Sequence, residues 1–316
     1  SKGLGCKWLA AFFSVAIIIA LGFIGNMVQA NSIADAFHSA FSIPTWIIGV
    51  ILALLAGFVF FGGMRRIAAT TEKIVPLMAV LYLAGGLWVL LTHLDMLLPA
   101  FKMIFVGAFD PSAATGGLIG AGVKEAMRYG VARGLFSNEA GMGSAPNAAA
   151  AADVSHPVKQ GLVQMLSVFI DTILICSTTA FMLLLSGVPI DAYSEGMNFV
   201  QAAVHSQVGP FGPLFITVSI FLFAFSSLVG NYYYTESNFR FIRDSKTGLL
   251  VFRLTCVAAI FIGAQMSFSM VWDLADVLMG LMALVNLVAI LLLGGKAIRV
   301  LKDYQKQRRA GKNPVY

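Results

Sequence analysis

Charge is scarce in this chain. Of 316 residues only 11% are Asp, Glu, Lys or Arg, against about 25% in a soluble domain. With 59% hydrophobic residues and a mean hydropathy of +0.85, a water-soluble globule is excluded. Cysteine is nearly absent: Cys6, Cys176 and Cys256 stand far apart, the last two inside apolar runs, so neither a disulfide framework nor a thiolate metal site is expected. The four histidines (His38, His93, His156, His205) show no H-E-x-x-H spacing, which argues against a zinc enzyme. The tail holds Lys296, Arg299, Lys302, Lys306, Arg308, Arg309 and Lys312 against Asp303, enough to supply the whole net charge of +6. Such a juxtamembrane cluster is a topology signal or a contact with anionic lipid. Nothing supports binding to nucleic acid, and no organic cofactor is expected.

What the chain does have is long apolar runs. A helix needs roughly 20 apolar residues to cross the hydrocarbon, where no water can satisfy exposed backbone. Candidate spans run from Trp8 to Ala30, Pro44 to Met64, Ile74 to Leu94, Gly161 to Leu185, Phe211 to Tyr234, Leu249 to Met270 and Leu274 to Gly294. Positive charge orients them. The basic tail, Arg240 to Lys246, Arg65 to Lys73, and Lys2 with Lys7 read as cytoplasmic, while "SFSMVWD" and "SGVPIDAYSEGMN" carry no Lys or Arg and read as external. This alternation demands one more crossing between Asp95 and Gln160, within about 113–152. The expectation is an all-α integral membrane bundle of about eight crossings, with a membrane domain over residues 1–295 and a cytoplasmic tail over 296–316. "LDMLLPAFKMIFVGAF" reads as an amphipathic piece lying on the outer surface.

The extra crossing contains "GLFSNEAGMGSAPNAAAAAD", residues 134–153. Gly141 and Gly143 lose most entropy when held helical, Pro146 suits the first turn of a new helix, Ser144 is a possible N-cap, and the alanine run favours helix beyond it. A helix broken at membrane depth frees N–H groups for a carboxylate and carbonyls for a small cation. Close helix packing is the plainer reading, favoured for Ala148 to Ala152; for Ser137 to Gly143 the polar Asn138 and Glu139 favour binding. Glu139 is either functional or a structural clamp. Asp171, about ten residues into its span, is either a hydrogen-bonded structural carboxylate or an ion site. Ser226 and Ser227 offer paired hydroxyls suited to a hard cation. Tyr232 to Tyr234 read as an interfacial aromatic belt.

"GLFSNEAGMGSAPNAAAAAD", "SVFIDTILIC" and "FAFSSLVGNYYYTESN", in this order, resemble the alanine or glycine:cation symporter family, also called sodium:alanine symporters, over essentially the whole chain. The resemblance implies a leucine-transporter type fold, in which five helices and an inverted copy surround a midplane site. It implies sodium-coupled uptake of alanine or glycine across a prokaryotic cytoplasmic membrane, with sodium as coupling ion. It places Ser226 and Ser227 at a sodium site. Ser137, Asn138, Gly141, Met142, Ser227 and Asn231 fall near the substrate; many relatives carry an aromatic residue where Asn231 stands. On this map the chain opens in the loop before the third core helix, so the first two core helices are expected to be missing and the fragment alone is not expected to transport. A channel or facilitator is the alternative reading. An intramembrane serine enzyme, with Ser137 or Ser144 as nucleophile, lacks a neighbouring histidine base in the sequence. Oligomeric state is not legible.

Overall fold

The computed structural model describes residues 3–109, 117–139, 141–189 and 196–316. Residues 113–116 of the expected extra crossing, Ala140 in its turn and residues 190–195 of one expected external loop lie outside these. The described residues are helical almost throughout: α1 (Lys7–Phe41), α2 (Thr45–Phe61), α3 (Gly63–Thr92), α4 (Leu94–Phe109), α5 (Gly117–Asn138), α6 (Ala145–Ala149), α7 (Pro157–Leu184), α8 (Met197–Val208), α9 (Phe211–Ile242), α10 (Lys246–Gly263) and α11 (Phe268–Arg309).

Among the described residues, six helices are long and apolar enough to cross a membrane, and α2, at 17 residues, is a shorter apolar helix. These seven match the seven clear spans of the sequence. The broken eighth does not meet the same criterion, because α5 carries Lys124, Glu125, Arg128 and Arg133. Large side chains such as Leu54, Phe58, Trp88 and Leu291 face outward, as lipid contact requires. The amphipathic stretch is a helix of its own, α4, packed through Phe101 on Phe181 of α7.

Several boundaries differ from the sequence reading, each for a local reason. α1 continues past Ala30 to Phe41, because the polar residues that dilute its hydropathy turn inward: the Asn31 amide donates to the carbonyls of Gly263 (3.1 Å) and Met266 (2.7 Å). Those bonds satisfy the end of α10, which stops at Gly263 and not near Met270. α11 runs 42 residues, straight through the start of the basic tail. The tail then folds back: Tyr316 N–H donates to the Ser155 carbonyl (2.9 Å), and Lys159 Nζ donates to Asn313 Oδ1 (2.8 Å). His156, wholly buried between the rings of Tyr304 and Tyr316, caps α7 by accepting the Val158 N–H through Nδ1. Two helices also widen into π turns that periodicity alone does not reveal, Ile18–Gly25 within α1 and Ile170–Cys176 within α7.

α9 is the hub. Half of its apolar window is buried, against a third or less in every other candidate span. It packs against α1, α3, α8 and α10. It runs antiparallel to α1, with Asn238 opposite Ser14 at one end and Thr217 opposite Ala36 at the other. In lipid no hydrophobic force pulls helices together, so close fit must do it. On α3 a Cβ at Gly85 or Gly86 would lie 2.3 Å from the Phe215 ring or 2.0 Å from the Thr178 methyl.

Candidate functional site

The expected interruption is present. α5 ends at Asn138, whose own amide caps it by donating to the Gly134 carbonyl (3.0 Å). Glu139 then takes φ +50°, Gly141 +82° and Gly143 +94°. A left-handed glutamate is strained, and such strain collects at working sites. Gly143 is also confined by space, since a Cβ there would sit 2.6 Å from the Phe13 ring. The second half of the break differs from expectation. Ser144 occupies the N-cap position of α6 with helical backbone angles and gives no capping bond; its buried hydroxyl lies beside the Glu139 carboxylate instead. α6 is only five residues long, and the alanine run beyond it tightens into i to i+3 bonds, Ala151 to Ala148 and Ala152 to Ala149. The carbonyls expected to be open to a cation are partly taken. Gly141 O accepts from Asn286 Nδ2 (2.8 Å) and Gly143 O from Asn147 Nδ2 (3.1 Å).

Two helices face the broken turn. From the π turn of α7, Asp171 Oδ2 accepts from Ser137 Oγ at 2.6 Å, and Thr172 Oγ1 donates to Asn138 Oδ1 at 2.8 Å. The adjacent motif residues Ser137 and Asn138 thus meet Asp171 and Thr172, 34 residues further along the chain. From α9, the serine pair divides, because neighbouring residues on a helix point about 100° apart. Ser226 is buried and donates to its own helix at Phe223 O (2.9 Å) with Met78 Sδ at 3.4 Å. Ser227 faces open space and makes no hydrogen bond to the described residues.

That space is two cavities with a common wall. The first, about 410 Å³, lies toward the Thr217 end of α9, and the second, about 540 Å³, toward the Asn238 end. Ser137, Glu139, Ser227 and Asn231 line both. Met142 and Asp171 line only the first, Asn138 and Ser226 only the second, and Gly141 neither. Both volumes fall in the range of small-molecule pockets. The sequence reading missed Gln29, Ser32, Ser219 and Trp272, which line the first cavity. Gln29 and Ser32, one turn apart in the polar stretch of α1, were legible as a polar stripe; Ser219 and Trp272 carried no signal. Arg133 forms a bidentate pair with Asp276 (2.8 and 3.0 Å) and stacks on Trp272, a lining residue of the first cavity, 4.2 Å from the ring centre.

Tyr232 corrects the aromatic-belt expectation. It is wholly buried, stacked on Phe60 at 3.7 Å. Its hydroxyl donates to Glu236 and accepts from Arg253 Nε (3.0 Å). Arg240 (2.8 Å) and Arg253 (3.3 Å) pair with the same carboxylate.

A broken helix facing a hydroxyl-bearing neighbour across paired cavities is compatible with a carrier, and the sequence model of the sodium:alanine symporter family matches residues 1–316. The chain belongs to the sodium:alanine symporter family. This is a family of transporters and not of enzymes. Relatives include the amino-acid carrier protein AlsT of Bacillus subtilis, 45% identical over the whole chain and 66% of its own length. The probable sodium/glutamine symporter GlnT of the same organism is 44% identical over the whole chain and 65% of its own length. The sodium/alanine symporter AgcS of Methanococcus maripaludis is 40% identical over 97% of this chain and 67% of its own. The chain thus spans about two thirds of the length of these relatives.

Proposed function

We propose that the carrier containing this chain couples sodium entry to uptake of a small neutral amino acid, alanine or glycine, by alternating access. It sits in the cytoplasmic membrane of a prokaryote in a leucine-transporter type inverted-repeat bundle. About eight crossings lie in this chain, and both the first residues and the basic tail are on the cytoplasmic side. The first cavity then faces outward and the second inward. What carries the reading is the shared wall: the same four residues, Ser137, Glu139, Ser227 and Asn231, line both cavities, so one site can serve two faces in turn. The wall supplies hydroxyl, amide and carboxylate oxygens suited to an ammonium group and a small hard cation. Ser227 takes the sodium role with substrate contacts from Ser137, Asn138 and Asn231. Ser226 gives its proton to its own helix at Phe223 O, which leaves its oxygen lone pairs free to join the sodium site.

One sodium entering down about 100 mV releases roughly 2.3 kcal/mol. A tenfold gradient adds about 1.4, enough together to concentrate a zwitterion on the order of 500-fold. Because each ligand favours the conformation that holds the other, binding is mutually coupled. A channel would need one continuous polar path, whereas the two cavities here meet at a wall. The test is uptake of labelled alanine and glycine into proteoliposomes, with glutamine as competitor. Accumulation should require sodium and should vanish in Ser227→Leu while the protein stays folded; accumulation unchanged without a sodium gradient refutes the reading.

A further inference from the structure

The turn is held from behind by side-chain amides. Asn286 on α11 donates to Gly141 O (2.8 Å). Asn147 on α6 donates to Gly143 O (3.1 Å) and Ser144 O (3.2 Å). The Asn147 carbonyl oxygen in turn accepts from Asn238 Nδ2 (2.9 Å), and Asn238 Oδ1 accepts from Ser14 Oγ (2.9 Å). Asn238 and Ser14 are both buried. The relay has one direction, Ser14 to Asn238 to Asn147 to Gly143, because each amide accepts through oxygen and donates through nitrogen. It borders a third cavity, about 380 Å³, whose lining includes none of the residues of the other two.

A break in a helix frees carbonyls without saying which remain available. Those of Gly141 and Gly143 are capped by Asn286 and Asn147, and Gly141 lines neither of the first two cavities. We propose that Asn147 and Asn286 are positioning residues that pull these two carbonyls away from the transport site, leaving the Ser137–Glu139 edge to meet the cargo. In this arrangement Ser14 and Asn238 tie the turn to the α1–α9 pair, so that the turn and those helices keep a fixed relation. Neither Asn147 nor Asn286 touches the cargo; each acts through the backbone it holds. The inference rests on the transport reading above, and its closing experiment separates the two.

In the intact carrier, hydrogen exchange over Met142–Ser144 and the KM for alanine are measured in Asn147→Leu, Asn286→Leu, Ser14→Ala and Ser14→Thr. Loss of the amide should speed exchange at the turn about tenfold and raise KM by a similar factor, with maximal uptake per folded protein little changed. Ser14→Ala, remote from the cargo, should raise KM about two- to threefold, Ser14→Thr should restore it, and Ser14→Ala added to Asn147→Leu should have little further effect because both lie on one network. If Asn147→Leu does not fold, Asn286→Leu and Ser14→Ala carry the same two measurements. Wild-type protein that accumulates neither alanine nor glycine refutes the transport reading, while exchange still tests the hold on the turn. Unchanged exchange in the folded variants, or faster exchange with an unchanged KM, overturns the inference.

Discussion

Asn231 and Glu236 lie little more than one turn apart on α9, yet they belong to opposite kinds of polar cluster. Around Glu236 every strong group is answered: Tyr232, Arg240 and Arg253 all bond to the carboxylate, and Phe60 and Phe252 stack on the Tyr232 ring. Around Asn231 polar capacity is left over: Ser227 faces open space with no bond to the described residues, and Ser137, though bonded to Asp171, still lines both cavities that share the wall. A carboxylate at membrane depth is a functional candidate by default. The contrast shows that the useful question is what remains unsatisfied. The saturated cluster holds helices together; the unsaturated one is where cargo can bind.

The contrast can be broken by substitution. Glu236→Gln removes the charge that both arginines share and leaves Arg253 without its ionic partner, which should cost about 3–5 kcal/mol of stability. Unfolding in detergent would register it, with uptake per folded molecule largely kept. A variant as stable as wild type but with weakened sodium affinity would move Glu236 into the transport site. Ser137→Ala should do the reverse. Its bond to Asp171 faces the cavity, so stability should fall by no more than about 1 kcal/mol, while uptake at low alanine drops several-fold. Equal losses in both measurements would place Ser137 with the structural cluster.

How far the sequence reached follows the same division. The break was legible because glycine, proline and a short polar run cannot continue a helix, and the seven clear spans because lipid demands long apolar runs. The meeting of Ser137 with Asp171 was not legible, since it depends on α7 widening into a π turn beside α5. Nor were Asn238 and Asn286, isolated amides whose partners lie 91 and 145 residues away. Ser144 misled because its position suits a cap, but the backbone there is already helical. Tyr232 misled because a span end suggests an interface, whereas Arg253 on the next helix draws it inward.

The central claim is that one wall serves two faces, and accessibility of Ser227 tests it most directly. With Cys6, Cys176, Cys256 and any further cysteine of the intact carrier replaced by alanine, Ser227→Cys is exposed in oriented vesicles to a membrane-impermeant thiol reagent from each side, with and without sodium and alanine. The account predicts labelling from both sides, with sodium and alanine shifting the balance between them. Labelling from one side alone, or from neither, under every condition would contradict it.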